Sequence, residues 1–201
     1  MKELNNSIKF LKAGEIISFP TETVYALACD AKNCIAVKRI YELKRRPYSK
    51  PLAVFFKSID EAKKYLIFTK KAEILAESFM PGEITLVLEK KEDCKLSKFL
   101  NINTNTLGFR IPNHKFCLEL LEKFENPICA TSANITGMET STKSEDVKKY
   151  FDSAIYIVRR DNEESSKTPS TIIDLNGDEV KFVREGSISF DKIKQALTEG
   201  K

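Results

Sequence analysis

Asn176-Gly177, set between the apolar runs Thr171–Leu175 and Glu179–Val183, is the feature that most restricts the fold of this chain. Asn and Gly tolerate the positive φ that tight hairpin turns demand, so the pair predicts two antiparallel strands. Elsewhere short apolar segments alternate with stretches of helical period. A hairpin inside that alternation predicts an α/β or α+β domain with a mixed sheet covered by helices, not a purely parallel sheet.

Around this hairpin the segments read as follows. Ser7–Ala13 is the end of an N-terminal helix closed by Gly14, and Glu15–Phe19 is a strand. Ile35–Lys44 has helical spacing, with Ile40 and Leu43 on the face of Val37, and Leu52–Phe56 is a strand. Ser58-Ile59-Asp60-Glu61 is a capping box opening a helix through Leu66, and a further helix covers Thr69–Phe79. Ile84–Leu88, Leu107–Ile111, Ile128–Ala130 and Ala154–Val158 read as strands. Phe116–Phe124, a segment starting at Ser144, and Asp191–Leu197 read as helices. After Phe19-Pro20, the residues Thr21-Glu22-Thr23 are helix N-cap types. A strand running into them reads as a strand-to-helix turn, which is both an ordinary connection and a common setting for an anion.

With 201 residues the chain has ample length for a core, and we read it as one domain, 1–201. No apolar run approaches the roughly 18–20 residues that span a bilayer, and Met1–Asn6 lacks a signal-type apolar stretch. The expectation is a cytoplasmic protein with no membrane contact. Five cysteines without a C-x-x-C pair argue against a disulfide framework and a zinc ribbon, and Cys129 reads as a small buried hydrophobe. The net charge of +4 permits nucleotide or RNA contact without demanding it.

Several segments could carry chemistry. In Leu43–Phe56, four cations (Lys44, Arg45, Arg46 and Lys50) crowd a loop punctuated by Pro47 and Pro51. They repel one another unless solvated or facing an anion, and the segment fits a solvated loop and a phosphate clamp equally. Ile128–Gly137 places Thr131, Ser132 and Asn134 at the end of a strand, where each can donate and accept, as a plain turn also would. Arg110 alternates with Phe109 and Ile111, which makes one strand face polar. Ser170 at a strand entrance and Arg184 beside Gly186 read by default as turn and surface residues. No phosphate-loop, dinucleotide or H-E-x-x-H motif is present, and His114 is the single histidine. A ligand would be held by Arg, Lys, Ser, Thr and Asn, a set that suits nucleotides, phosphates and amino acids.

Taken in order, Phe19-Pro20-Thr21-Glu22-Thr23-Val24-Tyr25, Lys44-Arg45-Arg46-Pro47 with Lys50-Pro51-Leu52, Pro81–Leu86, Gly108–Pro112, Thr131–Gly137, Ser170–Asp174 and Val183–Gly186 resemble the YrdC-like family, the threonylcarbamoyl-AMP synthases of TsaC type. The length matches the short form without an extra C-terminal domain. The resemblance implies an open twisted mixed sheet with flanking helices around a deep basic cavity. It implies conversion of L-threonine, bicarbonate (or CO2) and ATP to threonylcarbamoyl-AMP and pyrophosphate, for the t6A modification of tRNA. Mg²⁺ would accompany ATP. Downstream partners would be t6A transfer proteins of TsaD, TsaB and TsaE type, with direct tRNA contact left open.

Carried over by position, Thr21, Arg110, Ser132 and Ser170 would hold threonine. Lys44, Arg46, Lys50, Thr106, Asn134, Thr142 and Arg184 would hold ATP. No covalent or acid–base residue and no protein-held metal is implied. Ala26, Ala28 and Arg45 stand where the family commonly has glycine, and the alanines suit a helix better than glycine would. Lys50 and Glu83 also depart from common family residues. The rival readings are a non-catalytic RNA-binding module of the same fold and carbamoyl-adenylate chemistry starting from carbamoyl phosphate.

Overall fold

The computed structural model describes residues 1–160, 166–177 and 179–200. Its helices are α1 (Lys2–Lys12), α2 (Cys34–Leu43), α3 (Ile59–Ala62), α4 (Lys70–Phe79), α5 (Lys115–Phe124), α6 (Ser144–Phe151) and α7 (Phe190–Glu199). Its strands are β1 (Ile17–Phe19), β2 (Ala26–Asp30), β3 (Ala53–Phe55), β4 (Ile84–Glu89), β5 (Thr106–Arg110), β6 (Ile128–Ser132), β7 (Tyr156–Ile157), β8 (Thr171–Asp174) and β9 (Lys181–Arg184). They form one mixed sheet in the order β7-β1-β2-β6-β3-β5-β4-β8-β9.

Local chemistry sets many of the ends. Asn33 accepts the Ile35 and Ala36 N–H groups at the start of α2, and Thr69 caps α4. Gly14 follows α1 with φ +76°, a value that favours glycine. The β8–β9 hairpin forms across Asn176-Gly177 as expected. At Ser58 the cap is present, but Glu61 reaches back to the Lys57 N–H, one residue before the cap. That helix stops at Ala62 instead of running to Leu66, because Leu66 is drawn into a β-bridge with Lys90.

The larger correction is at Thr21-Glu22-Thr23, which opens strand β2 and no helix. The Thr21 hydroxyl accepts from the N–H groups of Thr23 and Val24, making a side-chain turn that feeds an extended segment. Ala26 and Ala28 therefore lie in a strand. Ala26 faces Phe19 on one side and Ser132 on the other. A strand buried on both faces shows no alternation, which is why its period did not reveal it.

Two cores lie on opposite faces of the sheet. Helices α2, α4, α6 and α7 pack on Leu27, Cys29, Val54, Leu86 and Phe109. Helices α1 and α5 pack on Ile17, Phe19, Ala28, Ile128 and Ala130. Those two helices cover the β1–β2–β6 side of their face. Farther across, the same face bears Ala53, Thr85, Arg110 and Ile172, and these residues line a cavity. Among the described residues, no helix is long and apolar enough to cross a membrane.

Candidate functional site

The floor of the cavity is made by small residues in register. Ala26 pairs with Ser132, and Ala53 pairs with Ala130 on one side and Gly108 on the other. Small side chains on neighbouring strands leave about 210 Å³ of space, walled by residues from the β1–β2 loop, the α2–β3 loop, β4, β5, β6 and the segment entering β8. Its polar wall contains Thr21, Thr23, Thr85, Ser132, Ser170 and three arginines: Arg46, Arg110 and Arg184.

Arg110 is 4% exposed. Its Nε donates to Gly82 O at 2.9 Å and its Nη1 to Thr23 Oγ1 at 3.2 Å. Nη2 lies 2.8 Å from Glu22 Oε1, close enough for an ion pair but off the hydrogen-bond direction. Arg46 reaches back over its own loop, donating to Lys50 O and Pro51 O. Arg184 is exposed overall, yet its guanidinium folds onto Ser170 O at 2.7 Å. Gly186 holds that end of the hairpin close, since a Cβ there would stand 2.1 Å from Pro169 O. Burial, followed by the charges of Arg110 and Arg46, holds the Arg184 pKa below the usual arginine range. Burial also lowers that of Arg46. Three guanidinium groups on one wall, with the Arg184 charge disfavoured by the other two, form a site that suits an anion.

Behind the wall lies Lys44, 1% exposed. Its ammonium donates to Ser132 O, to Asn134 O at 2.7 Å and to Asn134 Oδ1 at 3.3 Å. Burial, then Arg46, pulls its pKa down to about 7, against the pull of three oxygens matched to the three ammonium hydrogens. Lys44 thereby ties the end of α2 to the Ser132-Ala133-Asn134 turn. Asn134 completes that turn, accepting from Ser132 Oγ at 2.6 Å and donating to Met138 O at 2.7 Å.

Of the residues singled out from sequence, Thr21, Arg110, Ser132, Ser170, Arg46 and Arg184 share the cavity wall. Ser170, read by default as a turn residue, is buried in this wall, whereas Arg184 is exposed as read and turns its guanidinium onto Ser170. Lys44 and Asn134 stand behind the wall as the support of Ser132. Lys50 is exposed, and Thr142 is half-buried in the loop before α6. Thr106 sits at the far end of β5 from Arg110, bonded to Asn101 and Thr104. None of these last three lines the cavity.

Sequence reasoning passed over Glu22 as the partner of Arg110, and over Thr23 and Thr85. Thr85 was legible in principle. Leu86 pairs with Phe109, so its predecessor shares a face with Arg110, and Thr85 bonds Ser170 Oγ at 2.8 Å. Among the described residues no group of three or more His, Cys, Asp or Glu side chains is arranged to hold a metal ion.

A cavity over small-residue strands, walled by hydroxyls and converging guanidinium groups, is built for a small anionic ligand. The chain belongs to the Sua5/yciO/yrdC family, described as "Telomere recombination", whose model matches residues 9–186. It is 35% identical over 194 residues to the threonylcarbamoyl-AMP synthase of Pyrococcus abyssi, covering 94% of this chain and 56% of that protein. It is 31% identical over 197 residues to a putative threonylcarbamoyl-AMP synthase of Methanocaldococcus jannaschii, covering 96% of this chain and 91% of that one. The crystal structure of P. abyssi Sua5 complexed with L-threonine superposes with a TM-score of 0.91 at 34% identity, over 98% of this chain and 57% of that one. The chain thus spans a little over half the length of the P. abyssi relative.

Proposed function

We propose that the protein makes threonylcarbamoyl-AMP and pyrophosphate from L-threonine, bicarbonate or CO2, and ATP, acting as a nucleotidyltransferase in the supply of t6A to tRNA. One observation carries this reading. Arg46, Arg110 and Arg184 converge with Thr21, Ser132 and Ser170 on a single cavity, in a fold shared with a relative crystallised with L-threonine.

In this reading the enclosed space takes the amino acid, with its carboxylate on Arg110 and its polar groups facing Ser132, Ser170 and Thr21. The triphosphate lies toward the mouth, where Arg46 and Arg184 offset its charge. With its amine deprotonated, threonine takes up CO2 at nitrogen and releases one N–H proton to solvent, and an oxygen of the resulting carbamate then attacks the α-phosphorus as pyrophosphate leaves. Alignment and charge stabilisation are what such a step asks of the protein, so no histidine or covalent nucleophile is required. The apolar floor of Ala26, Ala53, Ala130 and Phe55 keeps water from the labile carbamate.

Lys44 and Asn134 contribute by fixing the turn that presents Ser132. Lys50, Thr106 and Thr142 enter no step here. Among the described residues the cavity wall contains no Asp or Glu, a donor set unsuited to a protein-held Mg²⁺, so the ion is assigned to the phosphates of ATP. The adenylate would pass to transfer proteins acting on tRNA.

Labelled bicarbonate supplied with threonine, ATP and Mg²⁺ tests the reading. Label should appear in a threonine-dependent adenylate resolved by chromatography and mass spectrometry. Label recovered only as bicarbonate, from folded protein, would contradict it.

A further inference from the structure

We propose that Glu22 is a positioning residue, holding the Arg110 guanidinium in the orientation that the amino-acid end of the cavity requires. The inference rests on the threonine reading above. Glu22 lies in the loop between β1 and β2 and is not itself part of the cavity wall. Its Oε1 accepts the Asn113 N–H at 2.6 Å, which fixes the carboxylate against the chain leaving β5. The same oxygen lies 2.8 Å from Arg110 Nη2, with only 15% and 5% of the two side chains exposed.

Arg110 is thus held from two sides by different means. Gly82 O and Thr23 Oγ1 take hydrogens from Nε and Nη1. Among the described residues Nη2 has no hydrogen-bond partner, and Glu22 holds it by charge. The surroundings make that charge matter. Arg46 and Arg184 wall the same cavity, and among the described residues neither has a carboxylate within ion-pair distance. Mutual repulsion pushes Arg110 away from them, and Glu22 is the opposing charge. Removing one partner of a buried pair leaves the other uncompensated, so the guanidinium would shift toward whatever solvation it could reach. Recognition of a carboxylate by a planar fork depends on that orientation, whereas attraction of a triphosphate depends mainly on charge. The consequence is asymmetric: loss of Glu22 should harm threonine binding and spare ATP.

The test is calorimetric titration of the unaltered protein, Glu22→Gln and Thr23→Val with L-threonine and, separately, with Mg-ATP. Gln keeps the shape and an oxygen for Asn113 while removing the charge. We expect the threonine Kd of Glu22→Gln to rise about tenfold, with the ATP Kd unchanged or lower. Thr23→Val keeps the ion pair and removes the oxygen beneath Nη1, so a smaller rise of about threefold, again for threonine only, should follow. A merely structural role would lower the melting temperature and the active fraction while leaving both constants alone.

An unchanged threonine Kd in folded Glu22→Gln overturns the proposal. If that variant does not fold, Glu22→Asp, which keeps the charge but withdraws it from Nη2, takes its place, and an unchanged threonine Kd there overturns the proposal. Failure of the unaltered protein to bind threonine overturns the substrate reading, and this inference with it, so the two failures are told apart.

Discussion

At the scale of single residues, the Thr21 hydroxyl has two duties. It lines the cavity, and it also donates to Val24 O at 2.7 Å while accepting the Thr23 and Val24 N–H groups. Thr21→Ala therefore frees two buried N–H groups as well as removing a hydroxyl from the cavity wall. We expect a raised threonine requirement, an ATP affinity close to that of the parent, and a stability loss of about 1 kcal/mol. Threonine titration and urea unfolding check the two parts, and parent-like threonine kinetics would remove Thr21 from the site. Arg45 is the opposite case. It follows the end of α2 with φ +49°, the conformation that glycine takes most cheaply. Arg45→Gly should stabilise the protein by about 1 kcal/mol in urea unfolding. Adenylate synthesis should be unaltered, since Arg45 is not on the cavity wall. Its sequence departure from the family is thus a matter of backbone strain and exposed charge.

At the scale of elements, the joint between α2 and the turn after β6 is made by one buried cation. Folding lowers the Lys44 pKa to about 7, whereas the unfolded chain keeps a value of about 10.4. Between those values the unfolded state binds more protons, so this group makes stability rise with pH across that window. Below about pH 7 both states are protonated and the contribution is flat. Urea unfolding at about pH 7 and about pH 9.5 should show the rise in the parent and lose it in Lys44→Met. An identical pH dependence in the two proteins would mean that Lys44 stays fully protonated in its three-oxygen cradle. Elements also show what sequence can and cannot disclose. Capped helices and the Asn176-Gly177 hairpin carry their signals within a few residues and were legible. Strand β2 was not, because Ala26–Cys29 is buried on both faces and lacks a period. The early end of α3 depended on Lys90, a partner distant in sequence.

At the scale of the whole molecule, the strand order is what assembles the site. β6 inserts between β2 and β3, and β5 lies between β3 and β4. This brings Ser132, Arg110 and Thr85 onto one face, beside Arg46 from the loop leading to β3. The motif segments were visible in sequence as separate pieces. Their residue types pointed to anions and amino acids, and their order to the family. The pairing of Glu22 with Arg110 was not visible, because no local pattern announces which carboxylate meets which guanidinium across the sheet. Nor was the division between wall residues and supporting residues, since Lys44 and Arg46 look alike on the page and differ only in which way the chain turns them.

The central claim is that this cavity joins an amino acid, one carbon from bicarbonate, and an adenylyl group. Pyrophosphate release from ATP and Mg²⁺ by the purified chain, with threonine and bicarbonate omitted in turn, tests it most directly. Release that requires both is the predicted result. Release indifferent to threonine, or none from demonstrably folded protein, would contradict it and make a binding role for the same fold the leading alternative.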